Sequence, residues 1–137
     1  MTGLVVDASV TAAWCFDDED TQYARDVLRR AQNISFFVPA IWPVEMVNVL
    51  IVNERRRRIT PGDTARAVRL LRELAIQVDR AGDLQPFDAV LILARAHSLS
   101  AYDASYLELA LRQGLPLATL DARLRTAAAA AGVNLYV

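Results

Sequence analysis

The chain has 137 residues, within the range of one domain, with 54% hydrophobic residues and a formal net charge of −1. All 15 basic residues are arginine, which removes lysine-dependent chemistry such as the P-loop and the Schiff base and counts against phosphoryl-aspartate receivers and haloacid-dehalogenase-type phosphatases. The single cysteine, Cys15, excludes an intrachain disulfide and a cysteine-rich zinc site, and the single histidine, His97, excludes a paired-histidine ribonuclease.

In chain order, short apolar runs alternate with helical patterns. Leu4–Val6 is a strand and Ser9–Phe16 a helix in which Cys15 reads as core. Thr21–Gln32 is helical, with Ala24, Val27, Leu28 and Ala31 on one stripe, and Phe36–Val38 is a second strand. Pro43 opens a helix to about Arg57. Thr60-Pro61-Gly62-Asp63 starts another, with capping-box character and Ala67, Val68, Leu71 and Leu74 on its apolar face. Ile76–Val78 is a third strand, followed by helices Pro86–Ser98 and Ala101–Arg112. Gly114 and Pro116 precede the strand Leu117–Thr119, helix Ala122–Ala131 ends at Gly132, and Leu135–Val137 is a last strand. This alternation implies an α/β fold of a single domain over residues 1–137: a mostly parallel central sheet of four to five strands between two layers of helices. No signal peptide and no run of about 18 apolar residues is present, so the expected protein is soluble and cytoplasmic, with no membrane partner.

Four carboxylates occupy places where an apolar segment ends or a helix begins. Asp7 closes Leu4-Val5-Val6, Asp121 follows Leu117-Ala118-Thr119-Leu120, Asp103 opens Tyr102–Arg112, and Glu45 interrupts the apolar stretch from Ile41 to Val52. In an open α/β sheet, ligands bind beyond the carboxyl ends of the strands, where such acids can meet. Acids at helix starts also cap free amides, which suffices to explain any one of them singly. Two resist that explanation. Glu45 and Asn48 share a face of an otherwise apolar segment, and Asp103 lies on the stripe of Tyr106, Leu107 and Ala110, opposite Ser105, Glu108 and Arg112. Carboxylates packed together repel unless a cation separates them, and a hard divalent ion prefers oxygen ligands. Ser9 and Thr119 lie beside Asp7 and Asp121 and can orient a carboxylate or cap a helix. Asp88, at another helix start, reads as a cap.

The segments LVVDASV, PVEMVNVL and LSAYDASYLELALRQGLPLATLDARL, in this order from Leu4 to Leu124, resemble PIN-domain ribonucleases, and among these the VapC toxins of prokaryotic toxin–antitoxin pairs. The resemblance implies a PIN-like three-layer α/β/α fold and an acidic site of Asp7, Glu45, Asp103 and Asp121, supported by Ser9, Asn48 and Thr119. It also implies Mg²⁺, or Mn²⁺, as the cofactor, RNA as substrate, a cognate antitoxin as partner, and a homodimer. Some PIN nucleases carry a further acid after the last motif. Ala122-Arg123-Leu124 supplies none here, which leaves a second metal site open.

Residues 54–73 hold seven arginines (55, 56, 57, 58, 66, 69, 72) against three acids (54, 63, 73). Arg55, Arg56 and Arg58 suit RNA phosphates, an acidic partner, or the carboxyl end of their own helix. The leading expectation is a metal-dependent endoribonuclease toxin held off by its antitoxin. A PIN nuclease of RNA processing and a non-catalytic RNA- or protein-binding module are the rivals. A module without catalysis needs no complete acid set, and all four acids are present. The helix from Pro43 to Val52 offers apolar groups on more faces than one sheet covers, with Trp42, Met46, Val49 and Leu50 as the expected surplus.

Overall fold

Four short strands build one all-parallel sheet in the computed structural model, which describes residues 3–80 and 85–137. β1 (Gly3–Val6), β2 (Ser35–Val38), β3 (Ile76–Val78) and β4 (Leu117–Ala118) lie side by side in the order β3-β2-β1-β4. Leu4 stands opposite Phe36, Phe36 opposite Ile76, and Val6 opposite Ala118. Every residue of β1 is buried, as a continuous apolar run must be when helices cover both faces of a parallel strand. This order sets the carboxyl ends of β2, β1 and β4 next to one another.

Among the described residues seven α-helices flank the sheet: α1 (Ala8–Cys15), α2 (Gln22–Arg29), α3 (Trp42–Arg55), α4 (Pro61–Glu73), α5 (Gln85–His97), α6 (Ala101–Gln113) and α7 (Ala122–Ala130). α1 packs with α2, α3 and α4. α6 packs with α5 and α7 and lies against β1 and β4, which gives the three-layer arrangement. The start signals act as the sequence predicts: Thr21 and Ser100 cap α2 and α6, and Thr60 with Asp63 forms a complete capping box on α4. Gly114 ends α6 in the left-handed conformation, at φ 65°.

Three expectations need correction. Leu135–Val137 does not form a fifth strand; Leu135 makes a single parallel bridge to Leu117, while the carbonyl of Tyr136 accepts the Tyr23 hydroxyl and Val137 is exposed. On α3, Trp42, Met46 and Leu50 are buried and Val49 is half-buried, whereas Val44 and Val47 are exposed at 65% and 63%. The apolar stripe at four-residue spacing is the one claimed by the core, so the surplus lies on the opposite side. Glu108, assigned to a polar stripe, is buried: Arg112 pairs with it at 2.8 Å and with Asp79, beyond β3, at 2.6 Å. Burying a carboxylate is costly unless it is paired or hydrogen-bonded, and the guanidinium supplies both here.

Cys15 is half-buried and its thiol is pushed up to about 11 by burial, so it acts as packing. Among the described residues no helix is long and apolar enough to cross a membrane.

α1 and α3 are joined through one hydroxyl. Thr11 is fully buried; its Oγ accepts the indole N–H of Trp42 at 3.0 Å and donates toward the Met46 sulfur at 3.2 Å. Thr11→Val keeps the shape and strands the indole donor, so urea unfolding is expected to show a loss of about 1–3 kcal/mol. An unchanged midpoint would show that Trp42 finds another acceptor.

Candidate active site

The loop after β1 turns directly into α1, and Asp7 is the N-cap of that helix. Its Oδ1 accepts the Val10 amide at 3.1 Å and the Ser9 hydroxyl at 2.6 Å; its Oδ2 accepts the Thr119 hydroxyl. Thr119 lies just beyond β4. The pairing of β1 with β4, extended by the Asp7 amide donating to the Ala118 carbonyl at 3.2 Å, brings the two segments together. Each hydroxyl donates to Asp7 and accepts a backbone amide from the β4 loop: Ser9 from Leu120 at 2.9 Å, Thr119 from Asp121 at 3.0 Å. Ser9 and Thr119 are thus relays between Asp7 and the segment carrying Asp121.

Asp121 caps α7, with Oδ1 accepting the Leu124 amide at 3.0 Å. Arg125 fixes the same loop from behind, donating to the Thr119 carbonyl at 2.9 Å with its guanidinium 5.4 Å over the Tyr23 ring. Glu45 lies in the first turn of α3, after β2, and accepts the Tyr106 hydroxyl on Oε1 at 2.6 Å. Asp103 lies in the first turn of α6, half-buried, and its amide donates to the cap residue Ser100 at 3.1 Å. Capping and clustering are therefore compatible: Asp7 and Asp121 each cap with one oxygen. A carboxylate offers roughly four acceptor positions. Asp7 has three filled by these donors, and Glu45 and Asp121 one each.

The electrostatics follow from burial and proximity. Asp7 is 3% exposed; desolvation raises its carboxyl to about 6 against the opposing hydrogen bonds, and Asp103 adds to the rise. Burial also raises Glu45 and Asp103. The charge of Asp103 contributes at Glu45, and that of Asp121 contributes at Asp103. Asp103 is thus the member felt by, or feeling, each of the other three. Tyr106 is pushed far above its ordinary value by burial and by Glu45, so its hydroxyl serves as a donor. Among the described residues none of the four acids has an ion-pair partner.

Each predicted site residue has a definite place. Asp7, Glu45, Asp103 and Asp121 each stand at the start or in the first turn of a helix, with Asp103 close enough to interact with the other three, and Ser9 and Thr119 bridge Asp7 to the loop of Asp121. Asn48 is exposed, and among the described residues no hydrogen bond ties it to Glu45. Arg55 and Arg56 are exposed at the far end of α3, roughly 15 Å along the helix from Glu45. Arg58 is exposed and paired with Asp18. Asp88 is exposed in the first turn of α5. Sequence reasoning missed Tyr106, counted as an apolar residue, and Arg125, which no motif marks.

The donor chemistry fits a hard divalent cation: oxygen ligands, an excess of negative charge and no basic side chain paired within it. The rotamers do not form a finished cage. Among the described residues no three acidic, cysteine or histidine side chains stand close enough together to hold one ion.

The family model described as PIN domain matches residues 4–130 of this chain. Among solved structures, the chain is similar to PAE2754 from Pyrobaculum aerophilum, with a TM-score of 0.69 and 24% identity over 92% of this chain and 79% of that one. At that identity the likeness concerns the fold. No curated protein matches the chain.

The burial of Asp7 sets a pH dependence. The folded protein keeps a proton on Asp7 up to about pH 6, the unfolded chain only up to its ordinary value of 3.8. Between these values folding takes up a proton at Asp7, so the contribution of Asp7 to stability falls as pH rises and is lowest above about 6. Asp7→Asn removes that penalty. The metal-free variant is expected to be more stable than wild type at pH 7–8 by about 2–3 kcal/mol, less any hydrogen bond weakened by the amide. The gap should close as pH falls toward 4. Guanidinium titrations across this range check it; a gap independent of pH would contradict the assignment.

Proposed function

Because this chain belongs to the PIN-domain family, whose members are usually metal-dependent nucleases acting on RNA, we propose that it is a metal-dependent endoribonuclease and the toxin of a toxin–antitoxin pair. The observation that carries the nuclease reading is the acid set. Four carboxylates stand at four helix starts, with Asp103 close enough to interact with the other three, and among the described residues no basic side chain neutralises any of them. The toxin reading rests on the resemblance of the motifs to VapC.

Asp7 and Asp103 would hold Mg²⁺ or Mn²⁺ directly, and Glu45 and Asp121 directly or through water. Such an ion lowers the pKa of a water and offsets charge on phosphate oxygens. The protein's own contribution is placement. Ser9, Val10 and Thr119 fix the Asp7 carboxylate to the end of β1, so that its orientation is set by the sheet. The Thr119 and Ser9 hydroxyls accept the amides of Asp121 and Leu120 and hold that loop at the same height. The scissile phosphodiester would lie over the acids, where an anion alone is repelled; RNA and metal binding are therefore interdependent. Arg55 and Arg56 would meet phosphates about 15 Å from the acids, beyond the scissile group.

A cleft of about 450 Å³ between α3 and α4, lined by Trp42, Met46, Leu50, Val68, Leu71 and Leu74, supports capture of an antitoxin's apolar segment. An antitoxin arginine reaching the acids would replace the cation's charge. Exposed Val44 and Val47 on α3 and Phe87, Leu91 and Ile92 on α5 support a homodimer.

RNA cleavage is expected to stop in EDTA and return with Mg²⁺ or Mn²⁺. Asp7→Asn and Asp103→Asn should each lower the rate by about 100-fold or more with the fold retained, since losing a ligand costs more than losing a hydrogen-bond partner of a ligand; Asp88→Asn should leave it unchanged. Undiminished cleavage in excess chelator would overturn the mechanism. Expression should arrest growth, and Asp7→Asn should relieve the arrest; cleavage without arrest would favour an RNA-processing role.

Light scattering at micromolar concentration is expected to give the mass of two chains. Val44 and Val47 together changed to Glu should give one, and a single-chain mass for the wild type refutes the dimer.

A further inference from the structure

Tyr106 is 1% exposed and lies one turn after Asp103 on α6. Its ring belongs to the hydrophobic core, a place that phenylalanine would fill equally well. The hydroxyl is the addition. A buried phenol needs a partner, and this one donates across the gap between α6 and α3 to Glu45 Oε1 at 2.6 Å. That length is in the charge-assisted range for a hydroxyl on a carboxylate, the stronger class of hydrogen bond.

Glu45 requires such a restraint. Its side chain has several rotatable bonds, it is half-buried, and the Asp103 charge opposes its own. Repulsion of that kind favours rotation of the carboxylate out toward water. Tyr106 opposes it with one donor on one oxygen, and among the described residues no donor meets Oε2. The phenol is too deeply buried to meet substrate, so it acts through Glu45. One helix thereby supplies both a member of the cluster, Asp103, and the restraint on another, Glu45. Resting on the nuclease reading above, we propose that Tyr106 is a positioning residue: its hydroxyl holds the Glu45 carboxylate in the acid cluster, Oε1 toward the phenol and Oε2 available to a divalent cation.

The test is calorimetric titration of the metal-free protein with Mn²⁺, beside RNA cleavage as a function of Mn²⁺. Tyr106→Phe is expected to weaken Mn²⁺ binding by about 10-fold or more, in line with loss of an outer-shell partner. Its circular dichroism should be unchanged, and its cleavage should return toward wild type at saturating Mn²⁺. Glu45→Ala should weaken binding at least as much, and adding Tyr106→Phe to it should change nothing further, because the phenol then has no carboxylate to hold. Wild-type Mn²⁺ affinity in Tyr106→Phe, a full additional loss in the double variant, or an unfolded Tyr106→Phe would overturn the proposal. The two readings separate cleanly. A wild type that shows this binding pattern yet cleaves no RNA loses the ribonuclease reading alone. A wild type that cleaves while Tyr106→Phe is indifferent loses the positioning role alone. Absence of both Mn²⁺ binding and cleavage removes both.

Discussion

The charge on Asp7 is the constraint around which the site is arranged. A carboxylate that is 3% exposed is held by three donors, and burial still raises it to about 6. Its neighbours are acids, so the cluster works against the folded state at neutral pH. The fold tolerates this because the same groups perform structural tasks: Asp7 caps α1, Asp121 caps α7, and Ser9 and Thr119 stitch the β1 and β4 loops together. Stability given up at a functional edge and supplied elsewhere is a common arrangement. Here it is supplied by β1, buried along its whole length between β2 and β4.

Much of this was legible in the sequence. The runs Leu4–Val6, Phe36–Val38 and Leu117–Ala118 are apolar and short, Ile76–Val78 is apolar on either side of Gln77, all are bounded by helical patterns, and that alternation dictates a parallel sheet. Strand ends then located Asp7 and Asp121, while helical spacing located Glu45 and Asp103. What failed were choices that depend on a third dimension. Two apolar stripes run along α3, and spacing alone does not say which one the core takes; Met46 and Leu50 went inward and Val44 and Val47 outward. Glu108 belongs to a polar stripe by pattern but is buried under Arg112, one turn on, whose guanidinium also reaches Asp79, far away in sequence.

Tyr106 shows the same limit at the site itself. Periodicity classes tyrosine with leucine, which is right for the ring and silent about the hydroxyl. Only the fold, which sets the start of α6 opposite the start of α3, gives that hydroxyl a carboxylate. The basic segment after α3 shows the limit in charge: Arg55, Arg56 and Arg58 look equivalent in sequence, yet Arg58 is committed to Asp18. Capping and clustering could not be told apart for single acids, since Asp7 and Asp121 each cap a helix and also stand among the acids.

The central claim, that the acids converge on a divalent cation, is tested most directly by a crystal of the protein grown with Mn²⁺ and measured for anomalous scattering. The account predicts a peak bound by Asp7 and Asp103 at about 2.1 Å, with Glu45 or Asp121 completing the shell directly or through water. A structure with saturating Mn²⁺ and no peak among these four carboxylates, or with a peak only at other residues, would contradict it.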